Sequence, residues 1–187
     1  LVRAGITDLV INHAHLGHMI EAALGDGSPF GAKIRYSAEG EALETAGGIA
    51  HALPLLGNAP FLAVNGDIFI QYDFSRAQEM AMAMRANADM FAAYLVLADN
   101  PLHNERGDFA LEHSMVKLTG QPMLTFTGVA VYQPDVFRDI ERGAKAKLAP
   151  LLKTLIGYGL VRGEYHRARW VDVGTPQRLA TLDRALK

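Results

Sequence analysis

The chain has no cysteine among its 187 residues. That excludes a disulfide framework and any thiolate-ligated metal, and it is compatible with a reducing, cytoplasmic setting. Nor is there an excess of either charge: 18 Lys and Arg stand against 20 Asp and Glu, without a long run of one sign. This balance argues against a nucleic-acid-binding surface. No apolar stretch approaches the roughly 20 residues of a membrane span, and nothing resembles a cleavable signal. Internal repeats, low-complexity tracts and linkers are also lacking. What is present is a half-hydrophobic composition, enough for a well-buried core and a globular body with small-molecule partners. A single domain over residues 1–187 is the simplest expectation. The chain opens Leu1-Val2-Arg3-Ala4-Gly5, without an initiating methionine. This resembles a helix tail closed by glycine, so an amino-terminal piece is expected to be missing.

Leu9-Val10-Ile11 is an apolar strand pattern, followed by Leu16, Met19, Ile20, Ala23 and Leu24 at helical spacing up to Gly25. Ala32 to Tyr36 predicts a second strand, and Thr45 opens a helix with Ile49, Ala52, Leu53 and Leu56 on one face. Phe61 to Val64 returns to the sheet, Phe74 to Arg85 predicts a helix, and Met90 to Leu97 a long strand. Alternating strands and helices predict an α/β layer with a mixed, largely parallel sheet flanked by helices. Extended pieces at Phe109–Leu111, Met115–Leu118 and Leu124–Val131 alternate with turns and predict a mixed or antiparallel edge region. Pro134 starts a short helix, and Leu148, Leu151, Leu152 and Leu155 mark another. Thr175-Pro176 is an N-cap followed by proline at the first helical position, with Leu179, Leu182 and Leu186 as the buried stripe of a last helix.

Two carboxylates carry the chemistry. The run Phe61-Leu62-Ala63-Val64 ends at Asn65-Gly66-Asp67, which puts an acid at the carboxyl edge of a sheet, where open α/β sheets bind ligands. Asp172, in Trp170-Val171-Asp172-Val173-Gly174-Thr175, again follows an apolar residue and precedes a helix start. Two such aspartates can share one divalent cation and with it neutralise nucleotide phosphates. Each aspartate alone also fits an ordinary turn.

The order of four motifs resembles that of the sugar-1-phosphate nucleotidyltransferases: Glu41-Ala42-Leu43-Glu44-Thr45-Ala46-Gly47-Gly48-Ile49, then Val64-Asn65-Gly66-Asp67, then Thr125-Phe126-Thr127-Gly128, then Trp170 to Thr175. Asp99-Asn100-Pro101, His103, Arg106-Gly107-Asp108-Phe109 and Lys147-Leu148-Ala149-Pro150-Leu151-Leu152 resemble the subgroup of uridylyltransferases acting on N-acetylmuramic acid α-1-phosphate. The resemblance implies a Rossmann-like fold of the nucleotide-diphospho-sugar transferase type, with UTP and a sugar-1-phosphate as partners and Mg²⁺ as cofactor. It implies Asp67 and Asp172 as catalytic metal ligands, and a nucleotide contact at Glu44, Thr45, Gly47 and Gly48, whose glycines let the backbone approach uracil and ribose. It also implies a sugar contact at Asn65, Thr127, Gly128 and Lys147, with Thr127 donating to a sugar hydroxyl. Members of the family begin with a glycine-rich loop containing an arginine and then a proline-lysine-proline segment; neither is in this sequence, so the chain as given is expected to be a poor catalyst.

Structural readings stand beside these. Thr45 can simply cap a helix, Thr127-Gly128 can be a strand break, Asn65 can bond its own turn, and Lys147 and Arg106 can be solvated charges. Trp170 is expected to pack beside Asp172 and fix its direction. His13, His15 and His18 straddle a strand end and a helix start, which favours structural or solvent-facing roles over zinc. Met80, Met82, Met84 and Met90 are expected in the core. Alternatives to the uridylyltransferase are a mannose-1-phosphate guanylyltransferase, a non-catalytic nucleotide-sugar-binding protein, and a glycosyltransferase. The last is weakened because Phe69 stands where a second aspartate is usual. The sequence does not fix oligomeric state.

Overall fold

The computed structural model describes residues 1–87 and 90–187, which divide into two compact units: residues 1–61 with 133–154, and residues 62–132 with 155–187. In the first unit, β1 (Asp8–His13) pairs in parallel with β2 (Lys33–Ala38), Leu9 opposite Ile34 and Ile11 opposite Tyr36. Between them runs α1 (Gly17–Leu24), and after them α2 (Glu44–Leu56). The opening residues form a 3-10 turn, Val2–Ala4, closed by Gly5 at φ 80°.

The second unit contains a six-stranded sheet in the order β3-β8-β5-β9-β7-β6. Its strands are β3 (Phe61–Val64), β5 (Ala93–Ala98), β6 (Phe109–Glu112), β7 (Met115–Lys117), β8 (Met123–Tyr132) and β9 (Val161–Tyr165). A separate antiparallel pair joins β4 (Ile68–Ile70) to β10 (Trp170–Asp172). The helices are α3 (Ser75–Ala86), the end of α4 (Leu148–Gly157) and α5 (Pro176–Leu186). The mixed α/β class is as expected. Parallel pairing joins β1 to β2 and β5 to β9, whereas β8, β6 and β7 pair antiparallel, so the parallel share is smaller than the alternation implies.

Several local expectations are corrected. Leu124–Val131 is not part of an edge: it belongs to β8, a strand between β3 and β5 with buried residues on both faces. Both faces are apolar, so the pattern lacks the alternation of a solvated strand. The β5 strand begins at Ala93 rather than Met90; the Met90 N–H closes a turn on Asn87, and its side chain is exposed. Met84 is buried and Met80 packs on the core, but Met82 lies on the outer face of α3. On α5 only Leu182 of the expected stripe is buried; Leu179 and Leu186 are exposed. The α2 entrance is also different. Leu43, not Thr45, is the cap residue, and no side chain caps the helix. Instead the Ala46 and Gly47 N–H groups both donate to the Ala146 carbonyl at 3.0 Å, satisfying two of the helix's free donors.

Candidate active site

A bulge in β8 shapes the neighbourhood. Leu95 faces Ala130 and Leu97 faces Phe126, so Thr127, Gly128 and Val129 crowd opposite Val96 alone. Such extra residues bend a strand and re-aim its groups. Here the Thr127 hydroxyl donates to the stranded Val96 carbonyl (2.8 Å) and accepts from the Val129 N–H (3.2 Å), which replaces the lost ladder bonds. Thr127 is 1 % exposed. With its one proton committed, it cannot donate to a sugar hydroxyl, which corrects the sequence expectation for its side chain. Gly128 takes φ 82°, and a Cβ there would lie 2.7 Å from the Asn65 side chain. Its carbonyl accepts from the Asn65 N–H at 2.9 Å. Asn65 and Gly128 are therefore brought together, with the Asn65 residue exposed.

The same register sets the two aspartates. Asp172 pairs across the β4–β10 ladder with Ile68, the residue after Asp67, and the Val173 N–H donates to the Asp67 carbonyl (2.8 Å). The carboxylates turn toward Gly174: a Cβ on that residue would sit 3.0 Å from Asp67 Oδ2 and 3.0 Å from Asp172 Oδ1. The two oxygens can thus be no farther apart than twice that distance. Glycine at 174 leaves the space a side chain would fill. Trp170 donates from Nε1 to the Thr127 carbonyl (2.9 Å), tying β10 to the β8 bulge. The N-cap of α5 is Thr175, whose hydroxyl accepts from the Arg178 N–H at 3.3 Å, as expected from Thr175-Pro176.

Asp172 is heavily engaged. Its Oδ1 accepts from the Gly174 N–H (2.8 Å) and meets Arg178 Nη2 (3.2 Å); its Oδ2 meets His103 Nε2 (3.1 Å). Asp67 is exposed and its carboxylate has no polar partner among the described residues. Arg178 is a residue the sequence reading missed. The available signal was a basic residue in the first turn of the helix that Asp172 introduces, a position where cations are not favoured by the helix dipole. The oxygen-only donor pair, meeting over a glycine, fits a hard cation such as Mg²⁺.

In the first unit, Gly47 and Gly48 have packing reasons of their own. A Cβ on Gly47 would lie 2.3 Å from the Ala144 carbonyl oxygen, and one on Gly48 2.5 Å from Glu39 Oε1 and 2.6 Å from Asn12 Nδ2. Glu39 bridges Asn12 (2.7 Å) and the Leu43 N–H (2.9 Å), which anchors the chain entering α2. The Gly47 N–H is already taken by Ala146. A base-edge hydrogen bond from that group is therefore excluded in this arrangement. Glu44 and Thr45 are exposed, and Glu44 holds φ 63°. Lys147, also exposed, follows directly on the Ala146 that binds the helix entrance. His13 bonds Glu21 (2.7 Å) and packs on Tyr36, while His15 and His18 are exposed. No group of three His, Asp or Glu placed to hold a metal occurs among the described residues.

Residues 1–187 match the Nucleotidyl transferase family model, and the chain belongs to that family. It is 49% identical over 183 residues, 96% of this chain and 78% of the relative, to an N-acetylmuramate alpha-1-phosphate uridylyltransferase of Neisseria meningitidis serogroup B. A protein of the same description from Caulobacter vibrioides is 30% identical, with 95% and 76% covered. In fold it matches a structure described as a glucose-1-phosphate thymidylyltransferase of Bacillus anthracis, with TM-score 0.80, 18% identity, and 99% and 78% covered.

Proposed function

We propose that this protein transfers a uridylyl group from UTP to a sugar-1-phosphate, N-acetylmuramic acid α-1-phosphate, and releases pyrophosphate. The observation that carries the reading is the meeting of Asp67 and Asp172 over Gly174 in a member of this family. An oxygen of the sugar phosphate attacks the α-phosphorus of UTP. A new P–O bond forms as the bond from that phosphorus to the bridging oxygen breaks, and pyrophosphate leaves with the electron pair. The acceptor oxygen is already ionised, so no general base is needed, and catalysis rests on positioning and charge stabilisation.

Asp67 and Asp172 would hold Mg²⁺ through carboxylate oxygens; when bound, it supplies neutralisation of phosphate charge. Arg178 and the Gly174 N–H keep Asp172 aimed. Glu44, Thr45, Gly47 and Gly48 serve the nucleotide, the two glycines by letting the chain pack tightly enough to present that surface. Asn65 and Gly128 serve the sugar phosphate, with Thr127 holding the bulge behind them, and Lys147 is a further candidate for the same ligand. A place in the recycling of cell-wall sugar, inside the cytoplasm, accords with that substrate and with the lack of cysteine; among the described residues no helix is long and apolar enough to cross a membrane.

The test is pyrophosphate release by the full-length protein with UTP, GTP or dTTP against the 1-phosphates of N-acetylmuramic acid, N-acetylglucosamine, mannose and glucose. We expect turnover with UTP and the muramic sugar. Selective use of GTP with mannose-1-phosphate would overturn the specificity, and ligand binding without pyrophosphate release would overturn the activity.

A further inference from the structure

A cavity between β10 and α5 lies behind Asp172 and shares one residue with its surroundings. The β4–β10 ladder is continued by the Gln71 N–H, which donates to the Arg169 carbonyl at 2.9 Å. Strand alternation therefore puts Arg169 and Val171 on one face and Trp170 and Asp172 on the other. Arg178, Thr181, Leu182 and Ala185 recur at helical spacing and bring one face of α5 to the same place. The hollow they line with Arg169 and Val171 has a volume of about 270 Å³, room for a molecule no larger than a single ring. Leu182 is buried there, whereas Thr181 and Ala185 are exposed.

Its charge is of one sign: two arginines line it and no acidic residue does. The Arg169 guanidinium stands 5.7 Å over the Phe69 ring and has no carboxylate partner among the described residues. Arg178 gives Nη2 to Asp172 Oδ1 at 3.2 Å, but its Nε is buried with no hydrogen-bond partner among the described residues. A buried donor without an acceptor is costly, and folded proteins rarely keep one without a use. A guanidinium carries five N–H donors and meets carboxylates along its edges, so Arg178 can face a second carboxylate while it keeps Asp172.

We propose that this hollow is a second ligand site, for a small organic carboxylate with an apolar body, and that its occupant acts on Asp172 through Arg178. Val171, Leu182 and Ala185 receive the apolar body; Arg169 and Arg178 receive the carboxylate, with a small turn of Arg178 that brings Nε to its acceptor. A guanidinium shared by two carboxylates balances Asp172 less and leaves it more charge for a cation. Ligand and cation therefore tighten one another, since coupling between two sites is reciprocal. This coupling rests on the reading of Asp67 and Asp172 as the cation's ligands; the binding in the cavity does not.

The experiment is a fluorine NMR titration of the full-length protein with para-fluorobenzoate, and with para-fluorobenzyl alcohol as the uncharged match. The carboxylate is expected to bind at least about tenfold tighter than the alcohol, the worth of a charge-assisted hydrogen bond. Arg169→Met should weaken it by a similar factor, and Ala185→Phe, at an exposed position, should block it, with the melting temperature of each checked on the same sample. No binding, equal binding of the alcohol, or full binding by both variants overturns the site. Mn²⁺ affinity, read by electron paramagnetic resonance, should rise about fivefold at saturating para-fluorobenzoate, at the low end of ordinary coupling. Unchanged or weaker Mn²⁺ binding overturns the coupling. Asp67→Asn separates the levels: if it still binds Mn²⁺ as before, the cation reading fails, whereas its para-fluorobenzoate binding should persist.

Discussion

Glu164 and Asp172 are both partly buried carboxylates near the end of the chain, each facing an arginine, and they differ in what surrounds them. Glu164, on β9, accepts from Tyr72 at 2.5 Å and pairs with Arg76; its side chain is 12% exposed. Asp172 has Arg178 and His103, but across Gly174 stands the second acid, Asp67, with no cationic partner among the described residues. A fold that needs only to bury a carboxylate has a sufficient answer in the Glu164 cluster. Two acids brought together repel one another, and an arrangement that leaves one of them unbalanced costs stability unless a cation is part of its working state. The first cluster is a fastening of α3 to the sheet; the second is the candidate site.

Substitutions in the two clusters should have opposite consequences for turnover and stability. Asp67→Asn should lower turnover by about a thousandfold or more while leaving thermal stability unchanged or slightly raised, since it removes unbalanced charge. Steady-state pyrophosphate release and a melting curve on the same sample check this. Glu164→Ala should do the reverse: a loss of about 1–3 kcal/mol in denaturant unfolding, chiefly from leaving the part-buried Tyr72 hydroxyl without its acceptor, with turnover at low temperature near that of the unaltered protein. Gly174→Ala adds a Cβ 3.0 Å from each carboxylate. It should spread the pair and slow turnover by about 10- to 100-fold with the melting temperature kept, because small displacements of ligands are costly to positioning.

The smallest effect is alkaline. Burial first, then the Glu164 charge, pushes the Tyr94 phenol up to about 12, and the phenols of Tyr72 and Tyr132 are also raised, chiefly by burial. A raised folded-state value favours the neutral phenol. The stabilisation is fully present below the ordinary value of 10 and is lost as pH rises through about 12, because the unfolded chain releases the proton first. Denaturant midpoints followed across that window should fall, and Tyr94→Phe should flatten the fall.

Much of this was legible in the sequence, for reasons that particular residues show. Period-2 and helical spacing placed most strands and helices, and Thr175-Pro176 announced the start of α5. The order of the Asp67 and Asp172 motifs pointed to a meeting that the β4–β10 register then produced. Less legible were facts set by tertiary pairing. The Thr127 hydroxyl turns to Val96 only because β8 bulges there. Gly47 answers to the Ala144 carbonyl, a residue far along the chain. The α2 entrance is capped by Ala146, so the threonine that looked like its cap is solvent-exposed. Arg178, in the first turn of the helix that follows Asp172, was within reach of a local reading, whereas His103 meets Asp172 from a loop that no local spacing relates to it.

The most direct measurement of the central claim is anomalous diffraction from a crystal of the full-length protein grown with Mn²⁺ and UTP. One manganese peak bonded to carboxylate oxygens of both Asp67 and Asp172 is expected. A manganese peak bonded elsewhere, or no peak between these two side chains, would contradict it.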